Sequence, residues 1–240
     1  EIHALAIFEG SLWAATAVGI AHAVLDDANL QDPDRWESTR QMGQTSSLLV
    51  HTDTLFGAGA SEVWRYDRGR ADWSPMGVLG KVDGLGSYGR TPRLVAVVEG
   101  AVQERQPAGT WVQRAVTGEV HSVSRGQDEL WLGTDTGLSL LGPVRPPQIR
   151  DTPSNQFFDI ELGAAGELWI ASMANDREGE PTGVYRYDGD GWEVYDRTDG
   201  LSSDFAVSVV RDDAERLWVA TWGRGVSVRS QDGTWNQLDQ

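Results

Sequence analysis

Short runs in which apolar and polar side chains alternate, each stopped by Gly or Asp, follow one another along the whole chain. The final stretch shows the pattern most cleanly. AVSVVR (206–211), RLWVAT (216–221), VSVR (226–229) and TWNQL (234–238) are separated by Asp212-Asp213-Ala214-Glu215, Trp222-Gly223-Arg224-Gly225 and Asp232-Gly233. Period-two alternation rich in β-branched and aromatic residues predicts strands, and the Gly and Asp clusters predict tight turns. No period of 3.6 persists anywhere, so the chain is expected to be all-β.

The four-strand unit repeats. Leu-Trp recurs as Leu12-Trp13, Leu130-Trp131, Leu168-Trp169 and Leu217-Trp218, with weaker copies at Leu55-Phe56 and Leu94-Val95. The six leucines are 43, 39, 36, 38 and 49 residues apart. A period near 40 with four short strands per copy predicts a β-propeller blade. Repeats one, two and five read IHALAIF/SLWAAT/IAHAVL/RWEST, SSLLVH/LFGAG/EVWRYD/DWSPM and FFDIEL/ELWIAS/VYRYD/GWEVY. Repeat four gives VHSVS, ELWLGT, LSLL and an outer segment, PPQIR; in repeat three the first strand must come from the Gly-rich stretch 80–92. The expectation is a single propeller domain of six four-stranded blades, at 1–40, 41–77, 78–115, 116–153, 154–199 and 200–240. An incomplete seven-bladed propeller is the alternative. Trp36, Trp73, Trp111, Trp192 and Trp235 recur in the fourth strand. Like the Leu-Trp pairs, they read as packing between blades, because a large ring fills a wedge and they recur in register.

Composition narrows the function. A formal charge of −16 argues against nucleic acid or an anionic membrane surface as partner. There is no cysteine, which excludes disulfides, thiolate chemistry and sulfur-ligated zinc. The apolar stretch 2–25 lacks a basic leader and carries Glu9 and two histidines, so it reads as blade rather than signal peptide. The start at Glu1 rather than Met is expected of a processed or excised piece. No run has the ~18 apolar residues of a membrane helix.

ELWLGTDTGLSLL (129–141), GELWIAS (166–172) with GVYRYDGDGWEVYDRTDGLSS (183–203), and RLWVATWGRGVSV (216–228) resemble the two-component-regulator propeller repeat. The likeness covers nearly the whole chain, strongly in repeats one, four, five and six. It implies a propeller of the kind found in extracytoplasmic sensor regions of bacterial hybrid histidine kinases and in related surface proteins. The implied role is a non-catalytic sensing or scaffolding module, periplasmic or extracellular, and part of a larger protein or assembly. The repeat specifies the fold and leaves the ligand open.

An enzymatic alternative, a lyase or glycosidase working at the tunnel mouth, needs catalytic groups there. Ser230-Gln231-Asp232-Gly233-Thr234-Trp235 is a contracted likeness of a sialidase Asp-box, two residues short and present once. His3 and His121 each lie nine residues before the Leu of a Leu-Trp pair. They are therefore expected at equivalent first-strand positions of repeats one and four, lining the tunnel from opposite sides. No glutamate cluster accompanies them, so catalytic residues are not expected. Asp188-Gly189-Asp190-Gly191 has the look of a calcium loop but lacks the further ligands at regular spacing. It is read as a hairpin turn, and no metal or cofactor is expected.

Loop length points to a binding face. Repeat five alone has a long loop between its second and third strands, 173–183, and repeat six puts Trp222 and Arg224 in the equivalent loop. A Trp in a turn is not needed for packing. The candidate binding residues are therefore Trp222 and Arg224 with Asn175, Asp176 and Glu178 alongside, facing a protein partner or small ligand.

Overall fold

The computed structural model describes residues 1–26, 29–78, 80–89, 91, 93–126, 128–142, 156–163, 166–173 and 182–238. They form six antiparallel sheets in chain order, the six blades of an all-β propeller fold. Blade one holds β1 (Ile2–Phe8), β2 (Ser11–Thr16), β3 (Gly19–Val24) and β4 (Glu37–Thr39). Blade two holds β5 (Thr45–His51), β6 (Thr54–Gly59), β7 (Glu62–Asp67) and β8 (Asp72–Val78). Blade three holds β9 (Val82–Tyr88), β10 (Arg93–Val98), β11 (Ala101–Arg105) and β12 (Trp111–Arg114). Blade four shows β13 (Val120–Arg125), β14 (Leu130–Thr134) and β15 (Gly137–Leu141); its expected outer segment, 146–150, lies outside the described residues. Blade five comprises β16 (Gln156–Leu162), β17 (Leu168–Met173), β18 (Gly183–Tyr187) and β19 (Trp192–Tyr195). Blade six comprises β20 (Ala206–Arg211), β21 (Leu217–Thr221), β22 (Val226–Arg229) and β23 (Trp235–Leu238). A single 3-10 turn, Pro33–Arg35, precedes β4, and the described residues contain no α-helix.

The blades group into two compact units, residues 1–115 and 116–240. Within each unit the core lies between successive blades. Trp13, Ile20, Leu55 and Trp73 fill the seam between blades one and two. Phe56, Val63, Leu85 and Ala96 fill that between two and three. In the second unit Trp131, Phe157, Ile170 and Tyr185 pack between blades four and five, and Trp169, Val184, Leu201 and Leu217 between five and six. The strand-two tryptophans at 13, 131 and 169 are thus core, as their recurrence in register requires.

In blades one and five the third strand opens on a glycine lying close against the fourth strand. Gly19 (φ 141°) and Gly183 (φ 129°) adopt left-handed backbone, and a Cβ there would run into the Thr39 and Tyr195 carbonyls respectively. Gly is the residue that meets both demands.

The first strand of every blade carries a β-bulge near its start. Pairing skips one residue in each: His3, Ser46, Asp83, His121, Phe158 and Val207. A bulge leaves its residue without a cross-strand partner and re-aims the side chain.

Candidate functional site

Each first strand starts beside the end of the second, as Ala206 pairs with Thr221 in blade six. The bulges and the loops joining strands two and three therefore share one end of each blade. His3 and His121 are both solvent-exposed at their bulges, each within its own unit. Neighbouring bulges touch: the His121 ring stacks on Phe158 at 5.5 Å and 18°. In the first unit the Ser46 hydroxyl donates to the Val82 carbonyl at 2.5 Å, and Asp83 pairs with Lys81 at 2.7 Å. Sequence spacing located the two histidines at equivalent positions but missed the bulge. It also missed the four other bulge residues, whose side chains share no chemistry.

Trp222 is 69% exposed and Phe205, 43% exposed, lies beside it, with the Trp222 amide donating to the Phe205 carbonyl at 2.9 Å. Under the pair lies a buried hydroxyl network. Ser202 Oγ shares a hydrogen bond with Thr221 Oγ1 at 3.0 Å, and Ser227 Oγ donates to Ser202 Oγ at 3.0 Å. Ser227 Oγ also accepts the Ser202 amide, and Thr221 Oγ1 donates to the Gly225 carbonyl. The two aromatic side chains are exposed on backbone that is tied from within. Arg224 is exposed on the same loop. Asn175, Asp176 and Glu178 lie outside the described residues. Phe205 was not foreseen; its one signal in the sequence is its place in the joint between repeats five and six, which shares this end of the blade.

Other polar groups are committed to structure. Asp159 accepts the Ser208 hydroxyl at 2.6 Å and the Val209 amide at 3.0 Å, tying blade five to six. Buried Glu104 takes the Tyr88 hydroxyl, Arg93 and Arg114. His51 is buried between the hydroxyls of Ser87 and Thr52. Asp188 accepts the amides of Asp190 and Gly191, a turn-closing arrangement that holds its carboxyl below the usual carboxylate range. Asp212 is drawn down to about 2, first by the Trp218 indole N–H and then by Arg216. Among the described residues no three His, Asp or Glu side chains come together as a metal ion would need.

No protein-family model matches the chain, and no curated protein matches it. Solved structures do. The extracellular domains of two hybrid two-component systems of B. thetaiotaomicron superpose with a TM-score of 0.73 at 16% and 17% identity, each over 95% of this chain. The chain spans about a third of their length, 32% and 33%. Virginiamycin B lyase from Staphylococcus aureus superposes with a TM-score of 0.70 at 11% identity, over 100% of this chain and 84% of the enzyme. Both comparisons establish the propeller fold. At these identities they say nothing of ligand or chemistry.

Proposed function

We propose that the chain is a non-catalytic, extracytoplasmic binding module of a larger sensory or scaffolding protein, and that it takes its partner on the end carrying Trp222 and Phe205. The carrying observation is that exposed aromatic pair, on backbone tied from within by buried hydroxyls. A preorganised aromatic anchor is the usual energetic centre of a protein interface. The likeness to extracellular sensor domains supports the setting, and no described helix is long and apolar enough to cross a membrane. Arg224 adds a cationic rim, while the chain's charge of −16 favours a partner with compensating basic groups.

The chain recovered from its source cells with its partner provides the test. Trp222→Ala is expected to weaken that complex by about 2 kcal/mol or more, while changing folding stability by less than about 0.5 kcal/mol, as for other exposed positions. Full affinity in both Trp222→Ala and Phe205→Ala sinks the proposal. Turnover of a screened substrate that vanishes in His3→Ala or His121→Ala would establish the lyase-like alternative instead.

A further inference from the structure

Between blades one and two lies a cavity of about 220 Å³ walled by Trp13, His22, Glu37, Tyr66, Asp72 and Trp73. Three aromatic rings form its inner wall. Trp13 lies 4.9 Å from Tyr66 and 6.0 Å from Trp73, and Tyr66 lies 5.3 Å from Trp73. The His22 ring lies parallel to Trp13 at 4.2 Å. Two carboxylates, Glu37 and Asp72, stand at the edge. No lining residue is a lysine or arginine. The nearby Arg68 is engaged with Glu9 at 2.7 Å and covers Phe8, and Arg70 faces Asp67.

Strand register shows what occupies the same place elsewhere. Trp13 pairs with His22 and His22 with Glu37 in blade one, as Trp169 pairs with Arg186 and Arg186 with Glu193 in blade five. Tyr66 faces Trp73 in blade two as Arg229 faces Trp235 in blade six. In the seam between five and six, two guanidinium groups of the chain itself sit on the aromatic wall. Arg229 lies 5.3 Å from Trp169 and 5.1 Å from Tyr195, and Arg186 lies 5.5 Å from Trp169 and pairs with Glu193 at 2.8 Å. The seam between two and three repeats this, with Arg65 opposite Phe56 and Arg105 opposite Trp111, 5.5 Å from its ring.

Between one and two both arginines are gone, replaced by His22 and Tyr66. Glu37 keeps the place of Glu193, and its ion-pair partner among the described residues is His22, at 3.9 Å. Asp72, just before Trp73, adds a second carboxylate where Thr234 precedes Trp235. The seam between four and five also lacks both arginines, but there Leu140 and Tyr187 pack into the core. The seam between one and two combines an aromatic wall, two carboxylates that no described lysine or arginine pairs with, and open volume.

We propose that this cavity binds a small organic cation, a quaternary or alkylated ammonium group, in the place that arginine side chains fill between blades five and six. The face of an aromatic ring attracts such a cation, and poorly hydrated ammonium groups lose little on leaving water. The volume falls below the ~300–1,000 Å³ of drug-sized pockets, which suits an ion of headgroup size. The site lies in the first unit and does not depend on the Trp222 surface.

Titration of the 240-residue protein with choline and with tetramethylammonium, followed by calorimetry and tryptophan fluorescence, tests this directly. Saturable binding of both is expected, with 3,3-dimethylbutan-1-ol, the uncharged carbon analogue of choline, at least about tenfold weaker, a difference of ~1.4 kcal/mol. Glucose is expected not to bind. Tyr66→Arg, which restores the guanidinium of blade six, is expected to weaken choline more than about tenfold while the melting temperature holds. Should that variant fail to fold, the surface pair Glu37→Gln/Asp72→Asn is expected to weaken choline at least about fivefold. Absence of binding by either cation up to about 10 mM, equal binding of the uncharged analogue or of glucose, or undiminished binding by a folded variant would each overturn the proposal.

Discussion

The seams between blades one and two and between blades five and six are built on the same frame, yet they hold opposite contents. Both place a strand-two tryptophan against a strand-four tryptophan of the next blade, Trp13 with Trp73 and Trp169 with Trp235. In the second seam the chain's own cations, Arg186 and Arg229, lie over the Trp169 ring. In the first, His22 and Tyr66 stand in for them, and about 220 Å³ is left open beside two carboxylates. The repeat therefore fixes the aromatic wall through packing, while two positions on the third strands decide whether a seam is self-filled or receptive. Fold and specificity reside in different residues of the same blade.

The largest effect should come from the wall itself. Trp169 is 2% exposed, so Trp169→Ala is expected to cost about 3–5 kcal/mol, measured by urea denaturation. Trp13 is equally buried at 4%, but part of its surroundings is already cavity. Trp13→Ala is expected to cost measurably less, because fewer packed neighbours lose contact. Equal costs would mean that the first seam is as closed as the second, which would erase the contrast.

The next effect concerns the resident cations. Arg229 Nε is buried without a hydrogen bond, so the side chain is held chiefly by the rings beneath it. Arg229→Leu is expected to destabilise by about 1–2 kcal/mol, the value of a desolvated cation on an aromatic face. The reciprocal change, Tyr66→Arg, is expected to be neutral or stabilising, since it meets an aromatic wall and Glu37 without a partner guanidinium. Thermal melts of the two variants side by side read the difference. A Tyr66→Arg protein less stable than Arg229→Leu would show that the two seams are not equivalent frames.

Much of this frame was legible in the sequence, and the reasons for the rest are physical. The Leu-Trp period located five four-stranded blades and the three described strands of blade four, because inter-blade packing needs large rings in register. Even the Gly-rich stretch 80–92 was placed as a first strand, found at Val82–Tyr88. The bulges were not legible. His3, Ser46, Asp83, His121, Phe158 and Val207 share a backbone position, and backbone pairing leaves no common side-chain type to read. The receptive seam was hidden for a related reason. Matching Tyr66 to Arg229 requires the strand register, and hairpin lengths vary enough between repeats to blur it. Trp222 stood out as a turn tryptophan, whereas Phe205 beside it sits in a joint that spacing alone cannot orient.

The smallest effect is electrostatic and separates the two seams by pH. In the arginine-filled seam Glu193 is held below its ordinary value of 4.5, first by the hydrogen bond from Arg186 and then by that from the Tyr195 hydroxyl. A carboxyl depressed in the folded state contributes stability that is complete above its unfolded value. That contribution is lost as pH falls through the folded value. The Arg186–Glu193 pair is half exposed, so its contribution lies within the ~0.2–1 kcal/mol of surface pairs. Arg186→Leu should raise the Glu193 titration midpoint toward 4.5, read by carbon-detected NMR, and Tyr195→Phe should raise it less. The stability difference between the parent and Arg186→Leu should also shrink as pH falls from neutrality into the acid range, since Glu193 then protonates in both. If the Glu193 midpoint is unmoved in Arg186→Leu, the guanidinium answers to the Trp169 ring rather than to the carboxylate. The receptive seam would then differ from its counterpart by the aromatic hold alone.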